Sequence, residues 1–225
     1  VTTIKTCAFI KCAAIESVTI PSSVTSIGAE AFLDCTSLTS ITIPDSVTTI
    51  GYNAFKDCTA LEQISGRFTT IGDYAFSGCT ALEGFIISPK TTAIGEKAFY
   101  DNAALFYVII PEGVESIGNS AFNYCDSLTV VEFPTSLKKI GDNAFDGCYL
   151  DYVGWAEGLE EIGANAFARL AIRDVRLPST VKTIGEAAFK NGTITNLYIG
   201  NAIESIGPEA FANNFLDRVE IRVNR

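Results

Sequence analysis

Three acidic side chains are the residues of this 225-residue chain with the best spacing for acid–base chemistry: Glu132, Asp174 and Glu220. Each is predicted to point outward from a short strand. They fall on alternate strands, so their carboxyl groups should lie roughly 10 Å apart. That is wider than the ~6.5–9.5 Å of inverting glycosidases, and Arg176 next to Asp174 could neutralise that carboxylate. An open surface would also exclude water poorly, so the pattern does not favour catalysis.

Other catalytic and cofactor motifs are missing from the sequence. The chain has no histidine, which removes the usual base of Ser-His-Asp and Cys-His sites and the commonest zinc ligand. There is no CxxC pair, phosphate loop or GxGxxG. Ser136 and Lys139 form an SxxK tetrapeptide without the companion motifs of penicillin-recognising enzymes. We therefore predict a non-enzymatic chain that holds no cofactor and no metal.

A pattern that recurs about every 23 residues must position all of these side chains. It reads IGxxAFxxCxxLxxIxIP, and its copies begin at Ile4, Ile27, Ile50, Ile71, Ile94, Ile117, Ile140, Ile162, Ile184 and Ile206. A period of 20–29 residues with one short strand per turn is typical of leucine-rich repeats, whose turns bury their apolar faces only against neighbouring turns. The sequence thus predicts a leucine-rich repeat solenoid, a β-rich α/β fold with about ten repeats of 21–23 residues.

Each recurring position of the repeat has a predicted structural role. The phenylalanine occurs in all ten copies, which predicts an aromatic column inside the coil. The glycine suits either a positive φ or a close backbone approach. The LxxIxI segment has the period-2 signature of a strand, and these strands should align as a parallel sheet on the concave face. The Ala-Phe segment should form a short helical or 3₁₀ turn.

Composition narrows the classes of protein and of partner. The net charge is −10, without a basic stripe, which argues against nucleic acid as a partner. The longest apolar run, Ala103 to Ile110, is too short to insert into a membrane. Six of the seven cysteines share one repeat position and are predicted to be buried free thiols. We predict a single domain over residues 1–225, and the absence of methionine suggests a processed form or an excised part of a longer array.

The candidate binding residues flank the central isoleucine of the LxxIxI segments. Serine and threonine occupy these positions in the first turns, apolar and aromatic residues occupy them in the middle, and charged residues follow. Exposed apolar patches often mark interaction sites. The alternatives are that such residues simply suit exposed strands, or that a missing neighbour domain covers them. The candidates are Ile86, Phe106, Tyr107, Ile109, Val130, Glu132, Tyr152, Asp174, Arg176 and Tyr198.

The repeat pattern resembles that of the BspA-like, or treponemal-type, leucine-rich repeat family over essentially the whole chain. The resemblance rests on the IGxxAFxxCxxLxxIxIP motif, with the alanine and phenylalanine in ten copies and the glycine in nine. Local departures are Gly66, the lost proline of the third turn and the replaced cysteines. The resemblance implies a secreted or cell-surface protein that binds host extracellular matrix or other cells, and a family without shared catalytic residues.

Three functions follow from these observations. The first is a protein-binding or adhesion module that holds its ligand, a host protein or a glycan, on the concave sheet. The second is a passive spacer that holds another domain away from a cell wall. The third is a carbohydrate-binding appendage of a larger enzyme. The sequence favours the first.

Overall fold

Each repeat contributes two short strands in the computed structural model, which describes residues 1–222. The first strand of a repeat ends on the isoleucine before the recurring glycine. These odd-numbered strands are β1 Thr3–Ile4, β3 Ser26–Ile27, β5 Thr49–Ile50, β7 Thr70–Ile71, β9 Ala93–Ile94, β11 Ser116–Ile117, β13 Lys139–Ile140, β15 Glu161–Ile162, β17 Thr183–Ile184 and β19 Ser205–Ile206. The second strand is the end of the LxxIxI segment. These even-numbered strands are β2 Ser17–Thr19, β4 Ser40–Thr42, β6 Gln63–Ser65, β8 Gly84–Ile86, β10 Tyr107–Ile109, β12 Val130–Glu132, β14 Tyr152–Gly154, β16 Asp174–Arg176, β18 Asn196–Ile199 and β20 Arg218–Ile221.

The odd-numbered strands form a continuous parallel sheet of ten strands, in the order β1-β3-β5-β7-β9-β11-β13-β15-β17-β19. Their register pairs the isoleucine of one turn with that of the next, as in Ile4 with Ile27 and Ile117 with Ile140. The solenoid of about ten parallel stacked turns is therefore confirmed. Its continuous sheet lies at a segment where the sequence had not predicted a strand.

The even-numbered strands are parallel and in register but do not form one sheet. They divide into the groups β2-β4-β6, β8-β10, β12-β14 and β16-β18-β20. The prediction of one continuous sheet from the LxxIxI segments was therefore wrong. The strand direction follows from the period of the repeat, whereas the pairing also depends on local changes in the length of a turn.

The Ala-Phe segments contain no helix in residues 1–222, so the predicted helical or 3₁₀ turn was also wrong. Two residues of each turn, such as Glu30 and Asp34, have φ between about 50° and 84°. These left-handed residues interrupt any helix and direct amide groups toward the next turn. The Phe32 amide, for example, donates to the Ala54 carbonyl at 2.8 Å. No helix that could cross a membrane occurs in this part of the chain.

Ten phenylalanine rings stack along the interior, as predicted, with Phe32 to Phe189 buried and the end members Phe9 and Phe211 partly open. Successive centroids are 5.1–5.5 Å apart and successive ring planes deviate by 1–19°. The recurring glycine is explained by close approach. A Cβ at Gly28 would lie 2.7 Å from the Thr6 backbone nitrogen, so no other residue fits between the stacked turns.

Candidate functional site

The outward-pointing residues of the even-numbered strands form a surface that we call the strand face. Along each of these strands exposed residues flank a buried or half-buried one, as in β10, where Tyr107 and Ile109 are exposed around buried Val108. The alternation arises because successive side chains of a strand point to opposite sides. The structure thus places the predicted candidates on one surface, as the period-2 pattern indicates.

Six of the candidates form an apolar patch on this face. They occupy β8, β10, β12 and β14, with Phe106 just before β10, and between 41% and 60% of each side chain is exposed. Ile86 and Ile109 are register partners on β8 and β10, and Val130 and Tyr152 are register partners on β12 and β14. The apolar patch comprises Ile86, Phe106, Tyr107, Ile109, Val130 and Tyr152.

The ring of Tyr107 lies across the neighbouring strand because Gly84 leaves room for it. The two residues are register partners on β10 and β8. A Cβ added at Gly84 would overlap the Tyr107 ring. Phe106 packs edge-on against Tyr107, with ring centroids 5.0 Å apart and an interplanar angle of 62°. The two rings therefore form a joined aromatic surface that extends over β8.

The third turn is shorter than its neighbours, because Ile50 and Ile71 are 21 residues apart, whereas 23 residues separate Ile27 from Ile50. Gly66 takes the position that Ile43 has one turn earlier, and the buried ring of Phe68 fills the space above it. The Phe68 ring lies 6.4 Å from Phe76 and 6.2 Å from Phe85, measured between centroids. One aromatic ring thus closes the core where two residues are missing.

A groove crosses the strand face at this short turn, where β6 and β8 are not paired. It comprises a depression of about 860 Å³ toward the strand ends and one of about 480 Å³ toward their starts. Both depressions are lined by Thr42, Ile64, Ser65, Gly84 and Tyr107. The volumes fall within the range of ligand clefts in proteins, roughly 300–1,000 Å³.

The two ends of the groove carry opposite charges. Glu62 and Glu83 line its start. Arg67 and Lys90 line its other end, together with Asp45. Arg67 and Asp45 are both largely exposed and 3.9 Å apart, which makes their ion pair weak. Arg67 can therefore exchange this partner for a ligand at little cost.

The charged candidates lie on a separate part of the strand face. No Cα atom of β14 lies within 8 Å of one in β16, so the apolar patch ends before Asp174 and Arg176. The Arg176 guanidinium stacks over the Tyr198 ring at 3.8 Å. Asp174 accepts a hydrogen bond from the Asn196 side-chain amide at 2.7 Å. The expected neutralisation of Asp174 by Arg176 was therefore wrong, because the aromatic ring on the next strand holds the guanidinium.

The side chains of the SxxK tetrapeptide serve structure. The Ser136 hydroxyl donates to the Val114 carbonyl at 2.8 Å and accepts from the Gly113 amide at 3.0 Å. The Lys139 ammonium lies 2.9 Å from a Glu161 carboxylate oxygen. Glu132, on β12, lies against Gly154 of the adjacent strand. Within residues 1–222 no three potential metal ligands cluster together.

The cysteines of the repeat position point into the core. All seven cysteines are free, and five are buried. Each buried thiol donates to the carbonyl of a phenylalanine in the preceding turn, as Cys58 does to Phe32 at 3.1 Å. Burial raises the pKa of the Cys58 thiol to about 12. These thiols therefore have a structural role and lack the thiolate character of a nucleophile.

The groove was missed by the sequence reasoning, although its cause is visible in the sequence. The 21-residue spacing, Gly66 and the absent proline mark the third turn as different. The residues that follow from this difference, Gln63, Ser65, Arg67 and Lys90, were not predicted as site residues. Their proximity depends on how the chain closes over a shortened turn.

Solved structures of bacterial leucine-rich repeat proteins resemble this chain. A leucine-rich repeat protein from Bacteroides ovatus ATCC 8483 is 28% identical, with a TM-score of 0.86 over 99% of this chain. This chain spans 64% of the length of that protein. A leucine rich cell surface protein from Faecalibacterium prausnitzii A2-165 is 22% identical, with a TM-score of 0.61, and the match covers 100% of this chain and 84% of that one. No curated protein matches the chain.

The family model described as the BspA type leucine rich repeat region matches residues 2–129 and 115–224, with six copies of its unit. These matches extend over nearly the whole repeat array, and the stacked turns of the structure agree with them. The chain belongs to the BspA-type leucine-rich repeat family.

Proposed function

We propose that this chain is a non-enzymatic protein-binding or adhesion module whose contact surface is the apolar patch. The observation that carries the proposal is the exposure of the six patch residues on four neighbouring strands. Their rings and branched side chains offer a large apolar area at small entropic cost, and tyrosine is enriched among residues that dominate binding energy.

The partner that we propose is a protein of the host extracellular matrix or of a cell surface, with glycans as a further class of ligand. The proposed location of the chain is secreted or at the cell surface. Membership of the BspA-type family and the likeness to a cell surface protein of Faecalibacterium prausnitzii support this location. The net charge of −10 does not favour nucleic acid.

The test is binding of the purified chain to a panel of matrix proteins and glycans. The patch variant Ile109→Ser, Val130→Ser, Tyr152→Ala removes three exposed apolar side chains outside the groove. We expect it to weaken binding at least tenfold, because these side chains would lie at the centre of the contact. The matched control is Ser17→Ala, Thr19→Ala, at the other end of the same face, which should bind as the wild type does.

Two outcomes would count against this function. Binding that persists unchanged in the folded patch variant would place the contact elsewhere on the solenoid. A wild-type chain that binds no member of the panel would favour the passive spacer. Binding to neutral glycans alone would favour the carbohydrate-binding appendage.

A further inference from the structure

The groove at the third turn differs from the rest of the strand face in shape. The neighbouring strands β4 and β6 are paired, as are β8 and β10, but β6 and β8 are not. The missing pairing and the two missing residues of the third turn leave a depression that runs along the strand direction. No other pair of adjacent turns in residues 1–222 is shortened in this way.

The two walls of the groove differ in polarity. Thr42, Gln63 and Ser65 line the wall on the β4–β6 side with hydroxyl and amide groups. Ile86, Phe106 and Tyr107 line the opposite wall with apolar surface. An extended peptide suits such a groove, because its backbone needs hydrogen-bonding partners and its alternate side chains can face an apolar surface.

The charges give the groove a direction. Glu62 and Glu83 each directly precede their strand, β6 or β8, whereas Arg67 and Lys90 follow the strand ends. From Glu62 to Arg67 the chain advances five residues, or roughly 16 Å at ~3.3 Å per residue. A ligand of five to six extended residues would therefore reach both charged ends.

We propose that the groove binds an extended peptide segment of a partner protein. The segment has a basic residue at one end, an apolar side chain in the middle and an acidic residue at the other end. The basic residue meets Glu62 and Glu83, the apolar side chain meets Ile86 and Tyr107, and the acidic residue meets Arg67 and Lys90. This inference rests on the proposed function, because it identifies the part of a protein partner that the chain recognises beside the apolar patch.

A neutral oligosaccharide fits these observations less well. It could stack on Tyr107, but it would use neither the acidic end nor the basic end of the groove. Opposite charges at the two ends are complementary to a chain that carries both signs, and such complementarity provides specificity more than affinity. The arrangement therefore favours a peptide.

The experiment selects peptides from a phage-displayed library of random octapeptides on the purified chain. Affinities of the enriched peptides, made synthetically, are then measured by fluorescence anisotropy. We expect the basic–apolar–acidic pattern among the enriched peptides. The charge-reversal variant Arg67→Glu, Lys90→Glu should weaken their binding at least tenfold and, in a second selection, enrich peptides that are basic at both ends. Both changed side chains are exposed, so the variant should fold.

A second variant tests the apolar wall. Gly84→Ala places a methyl group where the Tyr107 ring now lies, so the ring must move and the affinity for the same peptides should fall. The patch variant Ile109→Ser, Val130→Ser, Tyr152→Ala is the matched control, because it leaves the groove intact and should retain peptide binding.

Several results would overturn the inference. Enriched peptides without the charge pattern, or with affinities unchanged by both groove variants, would exclude the groove as their site. Loss of binding in the patch variant alone would reject the groove while leaving the proposed function standing. Competition by a neutral oligosaccharide that does not depend on Arg67 and Lys90 would assign the groove to sugars. Failure to enrich any peptide would reject the groove inference, and the matrix panel would then judge the proposed function separately.

Discussion

At the scale of single residues, the aromatic column shows how one side chain per turn can order a core. Phe122 is fully buried, and its ring centroid lies 5.2 Å from those of both Phe99 and Phe145. This separation is slightly larger than the ~4.7–4.9 Å spacing of strands, so the rings stack with an offset, as aromatic pairs prefer. Each ring contributes its own burial and also forms a wall of the site in which the next ring packs.

Replacement of Phe122 by alanine should therefore be severely destabilising. The expected loss in the free energy of unfolding is about 3–5 kcal/mol, because the substitution removes apolar burial and leaves a cavity between two rings. Chemical denaturation followed by circular dichroism would measure it. Phe9→Ala is the matched control and should cost clearly less, since Phe9 is 37% exposed at the end of the column. Equal losses for the two variants would contradict the stacked register.

The repeat's left-handed positions also explain residue choice. Gly147 has a φ of 84°, and a Cβ there would lie 2.8 Å from the Tyr124 ring. The equivalent residue of the preceding turn, Tyr124, adopts a φ of 60°. Asparagine, aspartate and glycine recur at these positions because they tolerate this conformation better than other residues do. Tyr124 and Arg169 are the exceptions that the inter-turn hydrogen bonds hold in place.

At the scale of elements, side chains join the connections between turns. The Glu112 carboxylate accepts hydrogen bonds from the backbone amides of Thr135 and Ser136, at 2.9 and 3.2 Å. These hydrogen bonds lower the pKa of Glu112 from its usual value of 4.5. Glu157 repeats the arrangement one connection later, accepting from the Ser179 amide at 3.1 Å. The connections are therefore fastened to each other although they contain no regular structure.

The Glu112 contacts predict a pH dependence of stability. Because the pKa of Glu112 is lower in the folded state than in the unfolded state, its contribution is present above pH 4.5 and is lost as the pH falls through the folded-state pKa. Glu112→Gln should be less stable than the wild type at pH 7, and the two proteins should converge as the medium is made more acidic than pH 4.5. Urea denaturation at a series of pH values would measure the difference. Glu132→Gln, at an exposed carboxylate without hydrogen bonds or ion pairs among residues 1–222, should show no such convergence.

Element boundaries also show where the sequence was insufficient. The LxxIxI pattern predicted the even-numbered strands and their outward residues, and both are present. Their division into four sheets was not predictable from that pattern, because hydrogen bonding between neighbours depends on how each turn is spaced. The two-residue strands such as β11 were missed because a single serine–isoleucine pair has no periodicity to detect.

At the scale of the whole molecule, the solenoid is a linear array in which each turn contacts only its neighbours. The thiols report on this organisation, because five of the seven are buried along the core. Burial raises the pKa of Cys79 and Cys125 well above 9.0. Cys7 and Cys12, in the first turn, are only partly buried. Access to the buried thiols therefore requires a local opening of the array.

We predict that alkylation at pH 8 proceeds from the first turn inward. Cys7 and Cys12 should react before Cys58 and Cys79, since terminal turns open more readily than central ones. Mass spectrometry of peptides after timed alkylation would give the order, and all seven thiols should react in denaturant. Fewer than six free thiols in denaturant would instead indicate disulfides, and equal native rates for Cys7 and Cys79 would contradict the buried column.

The sequence by itself determined the number of turns, their stacking, the aromatic core and the outward positions of Tyr107, Ile109 and Tyr152. These follow from a period of 21–23 residues and from the polarity of each position within it, because every turn repeats the same local physics. Only the tertiary structure decided that Tyr107 lies over Gly84, that Phe68 closes the core above Gly66, and that β6 and β8 border a groove. These features arise between turns that differ from one another, where the packing of particular side chains replaces the rule of the repeat.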